Sequence, residues 1–197
     1  MRLWLVLLAA LVGGEAAAQR PVTRDELIRF ERFSIKPPGG ANWFVMESRP
    51  EGAIFAKWPP ANEGHSHMAW AIARKLEQPI EDVAAHLKGI RAVLLGRLPR
   101  DRHDLVESDI QPYARMPGHC VRFRLKATDR GARGLEGITQ PFLIAGLYCV
   151  EPRGRAHTID INYSERAGPE RWDATALAEA EAFFSSLVLA EPGEPAK

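Results

Sequence analysis

The most constraining stretch of the chain lies between Pro141 and Ser164. An apolar run, Pro141 to Val150, is followed by a polar corner at Pro152, Arg153, Gly154 and Arg155. After the corner, Ile159, Ile161 and Tyr163 alternate with Thr158, Asp160, Asn162 and Ser164. Side chains on a strand change face at every residue, so alternation at period two predicts a strand, and two strands separated by a short turn predict an antiparallel hairpin. With Ile159, Ile161 and Tyr163 inward, the pattern predicts a sheet that is covered on one face and wetter on the other.

Further strands follow from the same reasoning. Phe33 to Pro37 and Asn42 to Ser48 read as strands around a turn at Pro38, Gly39 and Gly40, and Pro50 to Gly52 turns the chain into a strand over Ala53 to Trp58, closed by Pro59 and Pro60. From His65 to Arg74, Met68, Trp70 and Ile72 alternate with small neighbours, which favours a strand over the helix that the alanines allow. Leu105 to Ile110 and Cys120 to Leu125 complete the set. In the latter, Val121, Phe123 and Leu125 share one face, which places Cys120, Arg122 and Arg124 on the more polar one. A charged, glycine-rich loop is expected from 128 to 137.

Three helices are expected. Thr23 and Glu26 have capping-box spacing ahead of Leu27, Ile28 and Phe30. A middle helix over Ile80 to Leu95 has Pro79 before it, Glu81 and Asp82 in its first turn and Gly96 after it. Its stripe of Ile80, Val83, Ala84, Leu87, Ile90 and Leu94 needs a covering surface. A last helix, capped by Asp173 and running to Leu187, turns Leu177, Ala180, Phe184 and Leu187 inward and Glu179 and Glu181 outward. Strands outnumber helices and their connections are short. The expected class is therefore α+β, a mostly antiparallel sheet packed by a middle helix and a C-terminal helix.

The N-terminus, Met1-Arg2, then Leu3 to Val12, then Ala16, Ala17 and Ala18, has the order of a secretory signal, and its apolar run is too short to span a bilayer. Residues 1–18 are expected to be cleaved before Gln19, leaving a single domain over 19–190 and a disordered tail over 191–197. Export would place the protein in the periplasm or outside the cell. There Cys120 and Cys149, 29 positions apart, are expected to form a disulfide, which on the chain-entropy account stabilises by about 3 to 4 kcal/mol. Cleavage removes one Arg and one Glu, so the net charge of +1 is unchanged. Such balance gives no broad field for nucleic acid or anionic lipid, and no stable membrane anchor is expected after cleavage.

The order of elements, with Phe33-Ser34-Ile35 and Pro37 early and Phe184-Ser185-Ser186-Leu187 late, resembles the PsbP-like fold. With Asn42-Trp43, His65-Ser66-His67, Cys120, Gly146-Leu147-Tyr148-Cys149, Tyr163-Ser164-Glu165-Arg166 and Glu181-Ala182-Phe183, the chain is also similar to a family of uncharacterised exported bacterial proteins of that fold. The resemblance implies a small envelope protein with paired cysteines and no assigned reaction, since PsbP-like domains usually act as accessory or docking modules. It implies no catalytic residue.

Reactive patterns are sparse. His65 and His67 fall on one strand face and could share a metal ion, but two ligands need a third, from His86, His103, His119 or His157. No Gly-x-Ser-x-Gly elbow, His-Glu-x-x-His helix or phosphate loop is present, and a spatial triad would have to recruit Ser66, Ser164 or Ser185. Tyr163 to Arg166 reads as a core tyrosine followed by a solvated turn. Lys88, Arg91, Arg97, Arg100, Arg102 and His103 cluster along the chain, interrupted by Asp101 and Asp104. A solvated face explains them, and an anionic partner is the alternative. The expectation is a noncatalytic accessory or binding domain without a cofactor, acting on an envelope protein or ligand through a sheet edge or loops. A small metal-dependent or hydrolytic enzyme is the alternative.

Overall fold

The computed structural model describes residues 20–23, 25–57, 65–131, 138–152, 154–166 and 174–190. The expected signal and tail, Pro59 and Pro60, most of the glycine-rich loop and the capping Asp173 lie outside the described residues.

The hairpin forms as its alternation predicts. Strand β9 (Gln140–Val150) runs antiparallel to β10 (His157–Arg166), with Ile159 opposite Cys149 and Tyr163 opposite Ala145. The remaining strands are β1 (Arg20–Pro21), β2 (Ile28–Arg29), β3 (Phe33–Ile35), β4 (Trp43–Arg49), β5 (Gly52–Lys57), β6 (Ser66–Lys75), β7 (His103–Pro112), β8 (Cys120–Asp129) and β11 (Val188–Leu189). Eight of them make one sheet in the order β1-β4-β5-β6-β10-β9-β8-β7, all of it antiparallel, and β11-β3-β2 make a second, three-stranded sheet. The ambiguous 65–74 stretch is strand, because pairing with both β5 and β10 satisfies its backbone. The chain is thus α+β with a mostly antiparallel sheet, as its pattern of elements predicts.

The large sheet is covered on both faces, which corrects the one-sided expectation. One face carries Ile159, Ile161, Tyr163, Leu147, Ala71 and Phe55, and helix α3 (Ala174–Ser185) with the small sheet packs over it through Phe183, Phe184, Phe33 and Ile35. The other face carries Val121, Phe123, Leu125 and Ile144 beneath Ile90, Leu94 and Leu98. Thr158, Asp160 and Asn162, expected to be wetted, are consequently buried. Cys120 is likewise not on a polar face: it lies within the first core beside Cys149.

Three helix expectations change. The Glu26 amide reaches back to the Thr23 carbonyl at 3.4 Å, Asp25 has φ 66, and Ile28 pairs with Ile35 in β2–β3. A stretch this short cannot nucleate a helix unaided, and the sheet satisfies its backbone instead. The middle helix is two short helices, α1 (Val83–Gly89) and α2 (Arg91–Leu95). Asp82 Oδ1 accepts the Ala85 amide at 3.0 Å, while the Ile80 amide bonds the Arg155 carbonyl at 2.9 Å and is held to the hairpin turn rather than the helix. The Ile90 amide reaches back only to Leu87, a tightened turn after the weak helix former Gly89.

In α3, Glu179 and Glu181 turn toward the sheet. Glu179 Oε2 accepts Trp43 Nε1 at 2.8 Å and Lys57 Nζ at 2.7 Å, and Glu181 pairs with Arg122. Gly40, at φ 106, passes so close that a Cβ there would sit 1.8 Å from Glu179 Oε1, so this turn requires glycine.

Candidate functional site

The charged residues found by sequence separate into three groups once the chain is folded. Arg97, at the end of α2, lies over the Phe123 ring and donates to Asp160 Oδ1 at 2.9 Å and Asn162 Oδ1 at 2.7 Å. Asn162 Nδ2 in turn donates to Asp160. Arg102 grips Asp129 with two bonds of 2.8 Å, and Arg166 Nε and the Gly131 amide also donate to that carboxylate at 2.8 Å. Hydrogen bonding from Arg102 outweighs burial and holds Asp129 well below the usual carboxylate range. The Arg102 guanidinium is raised by the same bond. His103 lies 3.9 Å from Asp129, but desolvation dominates and lowers its pKa. These contacts tie the ends of β7, β8 and β10 together. Only Lys88, Arg91 and Arg100 of the sequence cluster are left to the surface.

The expected metal candidates belong to a different network. The His67 ring is buried, and its Nδ1 lies 3.0 Å from Tyr163 Oη, which donates to Glu165 Oε2 at 3.0 Å. With the Tyr163 hydroxyl donating to Glu165, its oxygen is placed to accept from His67 Nδ1. The His65 ring centroid is 5.7 Å from that of His67. The other histidines are dispersed: His86 meets Tyr148 Oη at 3.1 Å, whose phenol pKa burial raises; His119 lies in the turn before β8; and His157 meets Glu151 at 3.0 Å. Among the described residues no three His, Cys, Asp or Glu side chains converge. Of the serines, Ser66 Oγ accepts from Arg166, and the Ser185 carbonyl accepts from Arg115. Tyr163 is a core residue, as its alternation predicts, whereas Glu165 is buried and not part of a solvated turn.

Cys120 and Cys149 are joined by a disulfide. Beside it, α1, β7 and the start of β8 enclose a groove of about 430 Å³ lined by Leu87, Ile110, Pro112 and Val121, with Lys88 and Arg91 on its helical wall. Arg91 Nη2 is anchored on Ser108 Oγ at 2.8 Å. An apolar concavity with a few placed charges is the usual form of a ligand site. Sequence reasoning singled out Lys88 and Arg91 as charge but missed the groove, because its floor comes from β7 and β8, far from the helix in sequence.

No protein-family model matches the chain, and no curated protein matches it. Among solved structures it is similar to cyanobacterial PsbP (CyanoP) from Synechocystis sp. PCC 6803, determined in solution: the two are 13% identical over 93% of this chain and 99% of that one, with a TM-score of 0.40.

The groove adjoins an open sheet edge. Strand β7 ends the large sheet and pairs only with β8 among the described residues. The register slips between Leu105 and Glu107, so Val106 bulges out of the ladder at 68% exposure, with Leu105 at 47%. Glu107 pairs with Lys126 of β8, and Asp104 with Arg130 just past the end of β8, while Asp109 of β7 is exposed. None of the described helices is long and apolar enough to cross a membrane.

Proposed function

We propose that this chain is an exported, noncatalytic accessory domain of the periplasm or cell exterior, which captures a partner by strand addition along β7. The observation that supports this reading is the ten-residue outer strand itself, with one row of backbone donors and acceptors unused by the sheet and with Leu105 and Val106 exposed. An added strand lies beside the groove, where Leu87, Ile110 and Val121 accept apolar side chains and Lys88 and Arg91 favour acidic ones. The fitting partner is an extended, apolar and acidic protein segment. The disulfide supports an oxidising compartment, and the leader-like residues 1–18 supply the route.

A photo-crosslinking residue introduced in native cells at Val106, with a control at Glu77 beyond the end of β6, tests the reading. The expected result is one discrete adduct from position 106 and none from 77, lost when Ile110 is also replaced by Asp. Equal labelling from both positions, or no adduct from 106, overturns it.

A further inference from the structure

The groove beneath α1 has a chemical direction along its length. Ala84, Leu87, Lys88 and Arg91 recur at i, i+3, i+4 and i+7, so one stripe running through α1 to the first residue of α2, about 10 Å long, faces the groove. The first half of that stripe is apolar and the second half is cationic. The sheet side has the same order. Arg91 is bonded to Ser108, and further along β7 come Ile110 and then Pro112, which pairs in register with the buried Val121 of the floor. The β7–β8 turn, pinned by the Tyr113 amide on the Cys120 carbonyl at 2.9 Å, bounds this apolar end together with Gly118. Leu87 and Ile110 also pack on the core that holds Val121, so wall and floor are fixed by the fold.

Charge is one-sided as well. Among the described residues no carboxylate lines the groove, and Lys88 has neither a hydrogen bond nor an ion pair. Arg91 gives one nitrogen to Ser108 and keeps its other donors. A fitting occupant therefore carries apolar surface at one end and a single negative charge at the other. We infer that the groove binds a free medium-chain carboxylate, an unbranched amphiphile whose hydrocarbon chain lies on Leu87, Ile110, Pro112 and Val121 and whose head is held by Lys88 and Arg91. The volume of about 430 Å³ is near the small end of the range of ligand cavities, about 300 to 1,000 Å³, which favours one chain over the two of a membrane lipid. This complex forms without a strand on β7 and is read without any protein partner, so it succeeds or fails independently of the capture proposed there.

The test is calorimetric titration of the purified, disulfide-bonded mature protein with hexanoate and decanoate, against decanol and decyltrimethylammonium, all below the concentrations at which they form micelles. Decanoate is expected to bind one to one, at least tenfold more tightly than hexanoate because four more methylenes are buried, and at least about fivefold more tightly than decanol, with the cationic amphiphile silent. Lys88→Met should weaken decanoate about fivefold and leave decanol unchanged. Ala84→Trp, which fills the apolar end, should weaken both about tenfold. Both positions are exposed, and thermal unfolding checks that the variants fold. No saturable heat from decanoate up to about 5 mM, equal binding of decanol or of the cation, or unchanged decanoate affinity in either variant overturns the inference. Adsorption to phosphatidylglycerol vesicles without a one-to-one decanoate complex overturns it too.

Discussion

Cys120 and Cys149 stand directly opposite one another at the start of the β8–β9 ladder, their Cα atoms 4.1 Å apart, and the disulfide between them is buried in the core beneath α3. The cross-link closes a 29-residue separation and constrains the unfolded chain more than the folded one. Replacing both cysteines by serine should lower unfolding free energy by about 3 to 4 kcal/mol, read as a reduced urea midpoint. Thiol titration of the denatured, unreduced protein should find no free sulfhydryl, and two after reduction.

Asp129 predicts the acid limb of stability. Its carboxyl pKa is depressed in the folded state, so its contribution is fully present above the ordinary carboxylate pKa of about 4. That contribution is lost as pH falls below 4 toward the folded value. Asp129→Asn should cost about 3 kcal/mol at neutral pH by leaving Arg102 and Arg166 without their anion. It should also flatten the fall in stability between pH 4 and pH 2, as measured by denaturation at a series of pH values. An unchanged acid slope would remove this role.

Arg97 and Arg100 separate structural from superficial charge. Arg97→Met strands Asp160 and Asn162 against the sheet and should destabilise by roughly 2 to 3 kcal/mol. Arg100→Ala, at an exposed turn position, should stay within about 0.5 kcal/mol. Equal effects in chemical denaturation would mean that the buried contacts of Arg97 carry no stability.

Export predicts a defined mature terminus. Intact-mass measurement of the protein recovered from the extracytoplasmic fraction of native cells should give a chain beginning at Gln19. Retention of Met1 in cytosolic material would remove the placement and the partner proposed with it.

Much of the fold was legible in sequence because alternation is a local signal. Ile159, Ile161 and Tyr163 reported their own strand, and Met68, Trp70 and Ile72 reported theirs even against alanine's helical preference. What failed was the reading of the second face. Asp160, Asn162, Glu165, Glu179 and Glu181 look like solvent-facing residues by type, yet Glu165 is buried against Tyr163 and the other four are drawn to partners distant in sequence, Arg97, Trp43 and Arg122. The six basic positions after residue 87 formed one cluster along the chain, and folding turned three of them inward.

The sequence by itself determined which segments become strands, where the two longer helical segments fall and which two thiols could meet, since period, turn chemistry and residue count are properties of neighbouring residues. Tertiary structure alone decided that both faces of the sheet are covered, that β7 is left at the edge, and that Arg32 stands beside Glu151. Those outcomes depend on long-range pairing and desolvation, which place together residues more than a hundred positions apart and leave no local trace in the pattern of either.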